Sequence, residues 1–208
     1  PLMPSSFPSR PWEKIATVLY EFQGRKYIIV VDYNSRWFEI RKLRDETSKS
    51  TIDALKEIFA IHSIPDQVMS YNGPQYDAEC FCKFTATYGF TRVTSSPIYP
   101  QENGKVERAI RTAKALLKKN DDFHTALLTY RSTPLQNGLS PGELLMGRRL
   151  RTQQPVHPMT LQPDLTMDDC KQMDRKEACS SQKQQKTFDK QHKAKDLPHD
   201  CMCAGWLP

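Results

Sequence analysis

Ser70-Tyr71-Asn72-Gly73-Pro74-Gln75, followed later by Pro100-Gln101-Glu102-Asn103-Gly104-Lys105-Val106-Glu107-Arg108, is the part of the chain on which the fold turns. Gln67 to Ser70 reads as a brief strand, and Asn72-Gly73-Pro74 is turn chemistry. A helix is expected from about Asp77, as its N-cap, to Tyr88, closed by Gly89, with another brief strand at Thr91 to Thr94. A loop with two prolines then leads to a helix that starts at Asn103-Gly104 and ends at Asn120-Asp121-Asp122. Along that helix Val106, Ile110, Ala113 and Leu117 form an apolar stripe. Between Tyr71 and Glu107 lie 35 residues.

Upstream, Ile15 to Phe22, Tyr27 to Asp32 and Trp37 to Leu43 are three β-prone runs separated by tight turns, which predicts an antiparallel meander. Ser48 to His62 carries Ile52, Leu55, Ile58 and Phe59 at helical spacing, and Ile64-Pro65 stops it. Phe123 to Arg131 and Pro141 to Met146 read as two further short helices. Three consecutive strands followed by strands and helices in alternation point to an α/β fold, a mixed sheet flanked by helices. Pro1 to Arg10 reads as an extended linker, residues 11 to 151 as one domain, and 152 to 208 as a polar linker or disordered tail with a helix around Asp168 to Phe188.

The formal charge is +6, and it is unevenly placed. Residues 1 to 150 hold 21 Lys and Arg against 16 Asp and Glu; the segment 105 to 119 holds six of those cations and one acid, Glu107. The excess therefore sits on one helix, as an anion-binding stripe or as a solvated face. Glu107, Arg111, Lys114 and Lys118 share one side of it. Arg148, Arg149 and Arg151 form a smaller cluster that reads as a solvated domain edge. Six cysteines are present, none with zinc-knuckle spacing, and they read as reduced intracellular thiols. Ile28 to Val31 is far too short for a membrane span, and no signal segment is legible.

The motifs from Arg10 to Arg151 resemble, in order and spacing, the core domain of retroviral and retrotransposon integrases, most closely those of gypsy-class LTR elements. They comprise Pro11-Trp12, Val30-Val31-Asp32-Tyr33, Asn72-Gly73-Pro74-Gln75-Tyr76, Pro100-Gln101 with Asn103-Gly104, Glu107-Arg108, Tyr130-Arg131-Ser132-Thr133-Pro134, and Ser140-Pro141 leading to Leu144-Leu145-Met146-Gly147-Arg148. The resemblance implies a ribonuclease H-like five-stranded mixed sheet, its first three strands antiparallel. It also implies a catalytic Asp, Asp and Glu that hold Mg²⁺ or Mn²⁺ for phosphoryl transfer on DNA. Carried over by position, the Glu is Glu107, while Val18 and Tyr71 stand at the two Asp places. Val18 has no donor atom and a phenol stays neutral, so no intact metal site and no bound metal are expected. Glu21, three residues from Val18, should face the other side of the sheet, and Asp32 matches a family position that is not a ligand.

In the family this helix and the loop before it contact DNA. The resemblance thus assigns DNA contacts to Gln101, Asn103, Lys105, Arg111, Lys114 and Lys118, with Tyr99 and Trp37 either stacking on bases or packing. It further implies nuclear residence, homo-oligomers, a zinc-binding module before the core and a basic β-barrel after it. The opening at Pro1 reads as a piece of a longer product, and the ending after Leu197-Pro198 as a truncated approach to the barrel. The expectation is a DNA-binding core without strand transfer. Its rivals are an active metal-dependent polynucleotidyl transferase and a host-adopted interaction module.

Overall fold

The computed structural model describes residues 8–94, 100–119 and 122–163. Five strands, β1 (Lys14–Phe22), β2 (Arg25–Asp32), β3 (Phe38–Leu43), β4 (Gln67–Ser70) and β5 (Thr91–Thr94), form one sheet in the order β3-β2-β1-β4-β5. The first three pair antiparallel, and β4 and β5 add in parallel. This is the mixed five-stranded arrangement expected. Phe22 pairs with Arg25, which leaves Gln23-Gly24 as a two-residue hairpin loop. Both residues have positive φ, 51° and 69°, as a turn matched to the twist of the strands requires.

Parallel pairing needs crossovers, and helices supply them. Helix α1 (Ser48–His62) links β3 to β4; the short α2 (Pro74–Asp77) and α3 (Glu79–Tyr88) link β4 to β5. α1 begins where the Thr47 side chain accepts from the Ser50 N–H and ends at Ser63, two residues before Pro65. After β5 come α4 (Pro100–Lys119), α5 (Phe123–Ser132), α6 (Pro141–Met146) and a turn of 3₁₀ helix at Pro158–Leu161.

Strand alternation sorts the core into two faces. On one side Ile15, Ile28, Val30 and Val68 pack with Leu55, Ile58, Phe59, Phe81 and Phe84 of α1 and α3. On the other, Tyr20, Ile29, Val31 and Phe38 pack with Ala109, Ala113 and Leu127 of α4 and α5. Ala16, Met69, Tyr33 and Val106 close that second face near the end of β4.

Two local expectations, for Asp77 and the start of α4, are corrected, and the alternative left open for Trp37 is decided for packing. Asp77 is not an N-cap: it ends α2, its carboxylate pairs with Arg92 at 2.7 Å, and α3 starts after Ala78 without a side-chain cap. α4 begins at Pro100, three residues before Asn103-Gly104, because proline fits the first helical turn, where its missing N–H has no partner to lose. Trp37 is 3% exposed, its indole N–H donates to Glu39 and the Arg131 guanidinium lies 3.8 Å above its ring, so it packs and does not offer a face to a base. Tyr99 and the helix expected around Asp168 to Phe188 lie outside the described residues.

Candidate active site and nucleic-acid face

β1 and β4 run in parallel register from Lys14↔Gln67 to Thr17↔Ser70. The next step along both strands sets Val18 beside Tyr71. Val18 belongs to the even-numbered side of β1 and packs with α4, whereas Leu19 packs with the opposite core. Glu21 shares the parity of Leu19, as expected, and cannot reach the Val18 side.

Here the sheet and α4 leave a shallow hollow, with room for about one water molecule, lined by Ala16, Thr17, Val18, Tyr33, Met69, Ser70, Tyr71 and Val106. Its walls are mostly hydrocarbon, and the Tyr33 hydroxyl is spent on the Met69 sulfur at 3.2 Å. Tyr71 stands at the rim, 37% exposed. Partial burial first, and the nearby Glu107 carboxylate second, raise its phenol above the ordinary value of 10.0. Glu107, on the exposed side of α4 one residue past Val106, is therefore in electrostatic contact with position 71.

A divalent cation among these three side chains would meet a hydrocarbon, a neutral phenol and a single carboxylate. That donor set does not fit a hard ion, which takes several anionic or carbonyl oxygens. Among the described residues no three His, Cys, Asp or Glu side chains gather as a metal would need. The carboxylate nearest in sequence to the hollow on β2, Asp32, is fully buried and engaged elsewhere. It accepts from the backbone of Trp12 at 3.0 Å and from Ser35 N and Oγ at 2.9 and 2.5 Å. Its role is to hold the β2–β3 turn, where Arg36 has φ 62°.

α4 divides as its sequence suggests. Val106, Ala109 and Ala113 are buried, Ile110, Leu116 and Leu117 half-buried, and Glu107, Arg108, Arg111, Lys114 and Lys118 exposed. Lys114 leans over the Tyr20 ring, 5.6 Å from its centroid, and Tyr20 in turn stacks on Tyr27 at 5.5 Å. Of the expected DNA contacts, Arg111, Lys114 and Lys118 thus form one exposed row beside Glu107. Gln101, Asn103 and Lys105 lie in the first turns of α4, and their side chains fall outside the described residues. In the smaller basic cluster, Arg149 is paired with Glu143 at 2.9 Å. Cys80 and Cys82 are exposed free thiols on α3, and the other four cysteines lie outside the described residues.

Two residues not singled out from sequence shape the region. Arg92 of β5 donates to Ser70 Oγ at 2.9 Å and to the Tyr76 carbonyl and Asp77 at 2.7 Å each, clamping the segment that carries Tyr71. Only the register of β4 with β5 reveals this, since Ser70 pairs with Thr94 and Arg92 lies two residues back on the same face. Glu39 of β3, 6% exposed, accepts from Trp37 Nε1, Arg131 and Arg41 and lies 3.0 Å from His62 Nε2. The sequence signal was there: a lone acid between Trp37-Phe38 and Ile40 on an apolar strand.

No protein-family model matches the chain. Sequence comparison finds an uncharacterized protein, K02A2.6, of Caenorhabditis elegans, 32% identical over 73% of this chain. The Gag-Pol polyprotein of Walleye dermal sarcoma virus is 30% identical over 70% of the chain. The matches span only 13% and 9% of those longer proteins. Among solved structures, the catalytic core domain of BIV integrase superposes with a TM-score of 0.57 at 21% identity, over 65% of this chain and 94% of that one. The HTLV-2 integrase catalytic core in complex with magnesium, in a dimeric form, gives 0.54 at 23%, over 65% and 97%. The fold is thus the ribonuclease H-like fold of integrase catalytic cores. Joined to the polyprotein similarity, it makes this chain an integrase core domain of the retroviral and retrotransposon type. No helix among the described residues is long and apolar enough to cross a membrane.

Proposed function

We propose that this chain is a DNA-binding integrase core, of retrotransposon polyprotein descent, that has lost strand transfer. The observation that carries the reading is the hollow where β1, β4 and α4 meet. Val18 and Tyr71 fill the two places where the family's aspartates belong, and Glu107 alone supplies an anionic oxygen. Two-metal phosphoryl transfer needs carboxylates that clamp both ions. Without them the chain's own residues have no means of activating the attacking oxygen or stabilising the leaving one.

DNA binding is supported by the exposed row Arg111, Lys114 and Lys118. A row of cations neutralises successive phosphates and releases their counterions, so affinity should fall steeply with salt. The dimeric state of the HTLV-2 core supports self-association here too. Nuclear residence belongs to the same reading, since the family's substrate is chromosomal DNA.

The test is calorimetric titration of Mn²⁺ into the wild-type chain and into Val18→Asp/Tyr71→Asp. The wild type should bind no Mn²⁺ at the core, and the double variant should bind it with Glu107 as the third ligand. Mn²⁺ binding by the wild type that Glu107→Gln abolishes would favour an active transferase with a rebuilt site.

A further inference from the structure

The order β3-β2-β1-β4-β5 leaves the sheet two outer edges, and among the described residues no strand pairs beyond either. An open edge carries main-chain N–H and C=O groups to which another strand can add. β5 is only four residues long and turns few such groups outward. β3 is the longer edge, and its register decides which residues face out. The Asp32 N–H donates to the Trp37 carbonyl at 2.8 Å, while the Tyr33 N–H donates to Lys14, on the β1 side, at 3.1 Å. Val30↔Glu39 and Ile28↔Arg41 are in step with Asp32 and Trp37, so Glu39 and Arg41 bond to β2. Phe38, Ile40 and Lys42 therefore turn their main-chain groups away from the sheet.

Two of these outward carbonyls are already taken. Arg41 Nη1 donates to the Ile40 carbonyl at 2.9 Å, and Arg131 Nη2 to the Phe38 carbonyl at 2.8 Å. Buried Glu39 seats both guanidinium groups, Arg131 on Oε1 at 2.8 Å and Arg41 on Oε2 at 3.0 Å. Glu39 shares the parity of Trp37 and Leu43, which pack on the α1 side, whereas Arg131 comes from α5 on the other face. Its side chain thus passes round the edge, over the Trp37 ring.

The strand that fits this edge is β3 of a second copy. An antiparallel pair centred on Ile40 sets Glu39 opposite Arg41, so opposite charges meet across the seam, and Phe38 opposite Lys42. It also needs the Phe38 and Ile40 carbonyls, which the two arginines occupy. We infer that Arg41 and Arg131, seated on Glu39, close the outer edge of β3 against pairing with β3 of a second copy. The closure is independent of DNA binding, and it confines contacts between copies to surfaces other than this edge.

Light scattering after size exclusion, over a range of concentrations, tests it on the full chain. Arg41→Ala uncovers the Ile40 carbonyl and should roughly double the mass reached at high concentration relative to the wild type, as a two-fold symmetric pair requires. Arg41→Ala/Lys42→Pro should return to the wild-type mass, because proline removes an outward donor and leaves the ladder to β2 intact. Circular dichroism should be alike in all three. Wild-type mass in Arg41→Ala, or association that Lys42→Pro leaves unchanged, overturns the inference. Amide hydrogen exchange of the wild type gives a second reading that needs no variant: the Ile40 amide should exchange many-fold faster than those of Glu39 and Arg41. Equal protection of the three would mean that the edge is already paired, and contradicts the closure.

Discussion

Glu39 shows how one residue can hold three elements together. Burial alone would raise its carboxyl. The contact with His62, the Arg131 charge, the Trp37 N–H and the Arg41 charge outweigh burial and bring it from an ordinary 4.5 down to about 2. A carboxyl depressed in the folded state stabilises the fold above its unfolded pKa, and that contribution is lost as pH falls from about 4.5 towards 2. Urea unfolding of the wild type should therefore show stability dropping through that window. Glu39→Gln should be less stable at pH 7 by about 3 kcal/mol, because it leaves the Arg131 guanidinium buried without its counter-charge, and its stability should fall less steeply with acid than that of the wild type. A neutral effect at pH 7 would mean that the cluster is dispensable to the fold. At the same scale Val18 and Tyr71 were legible from the sequence, since they are defined by motif and spacing. Arg92 was not, and Glu39 only in part: a lone acid on an apolar strand is visible, but His62 and Arg131 lie on other elements and meet it only in the folded chain.

The elements themselves were the most readable level. α1, β4, β5 and α6 fall at the bounds expected from the sequence, with Pro65 just beyond α1; Gly147, in the left-handed conformation, closes α6. Errors gathered at helix starts, where several residues can serve. Asp77 was a plausible cap by type, yet Arg92 captures its carboxylate, and α4 extends back to Pro100. On α4, Arg111→Ala with Lys114→Ala should reduce the slope of log affinity for duplex DNA against log salt by about 2, with helicity unchanged. An unaltered slope would remove these two side chains from the interface. Lys114 has a second role to test, since its ammonium lies over Tyr20 and contributes roughly 0.5–1 kcal/mol at an exposed site. α6 offers a packing test, because a Cβ at Gly142 would come within 2.6 Å of Leu150 Cγ and 3.0 Å of the Arg131 carbonyl. Gly142→Ala should lower stability by about 1–3 kcal/mol in thermal or urea unfolding, since the backbone atom cannot swing aside.

At the scale of the whole molecule, a five-stranded sheet buried between α1 and α3 on one face and α4 and α5 on the other keeps the architecture of integrase catalytic cores. Ile15, Ile28, Leu55, Ile58, Val68 and Phe81, all fully buried, belong to the core on the face of the sheet opposite the one against which Val18 packs. In the proposed function the scaffold and the reaction are separable: the fold is kept while Val18 and Tyr71 stand at two ligand places of the reaction. That separation is the central claim, and strand transfer measures it directly. The purified chain, supplied with Mn²⁺ or Mg²⁺ and a labelled DNA donor with a target duplex, should yield no joined product above that of Glu107→Gln, while still binding the DNA in a salt-sensitive manner. Joined product from the wild type that disappears in Glu107→Gln would contradict the account.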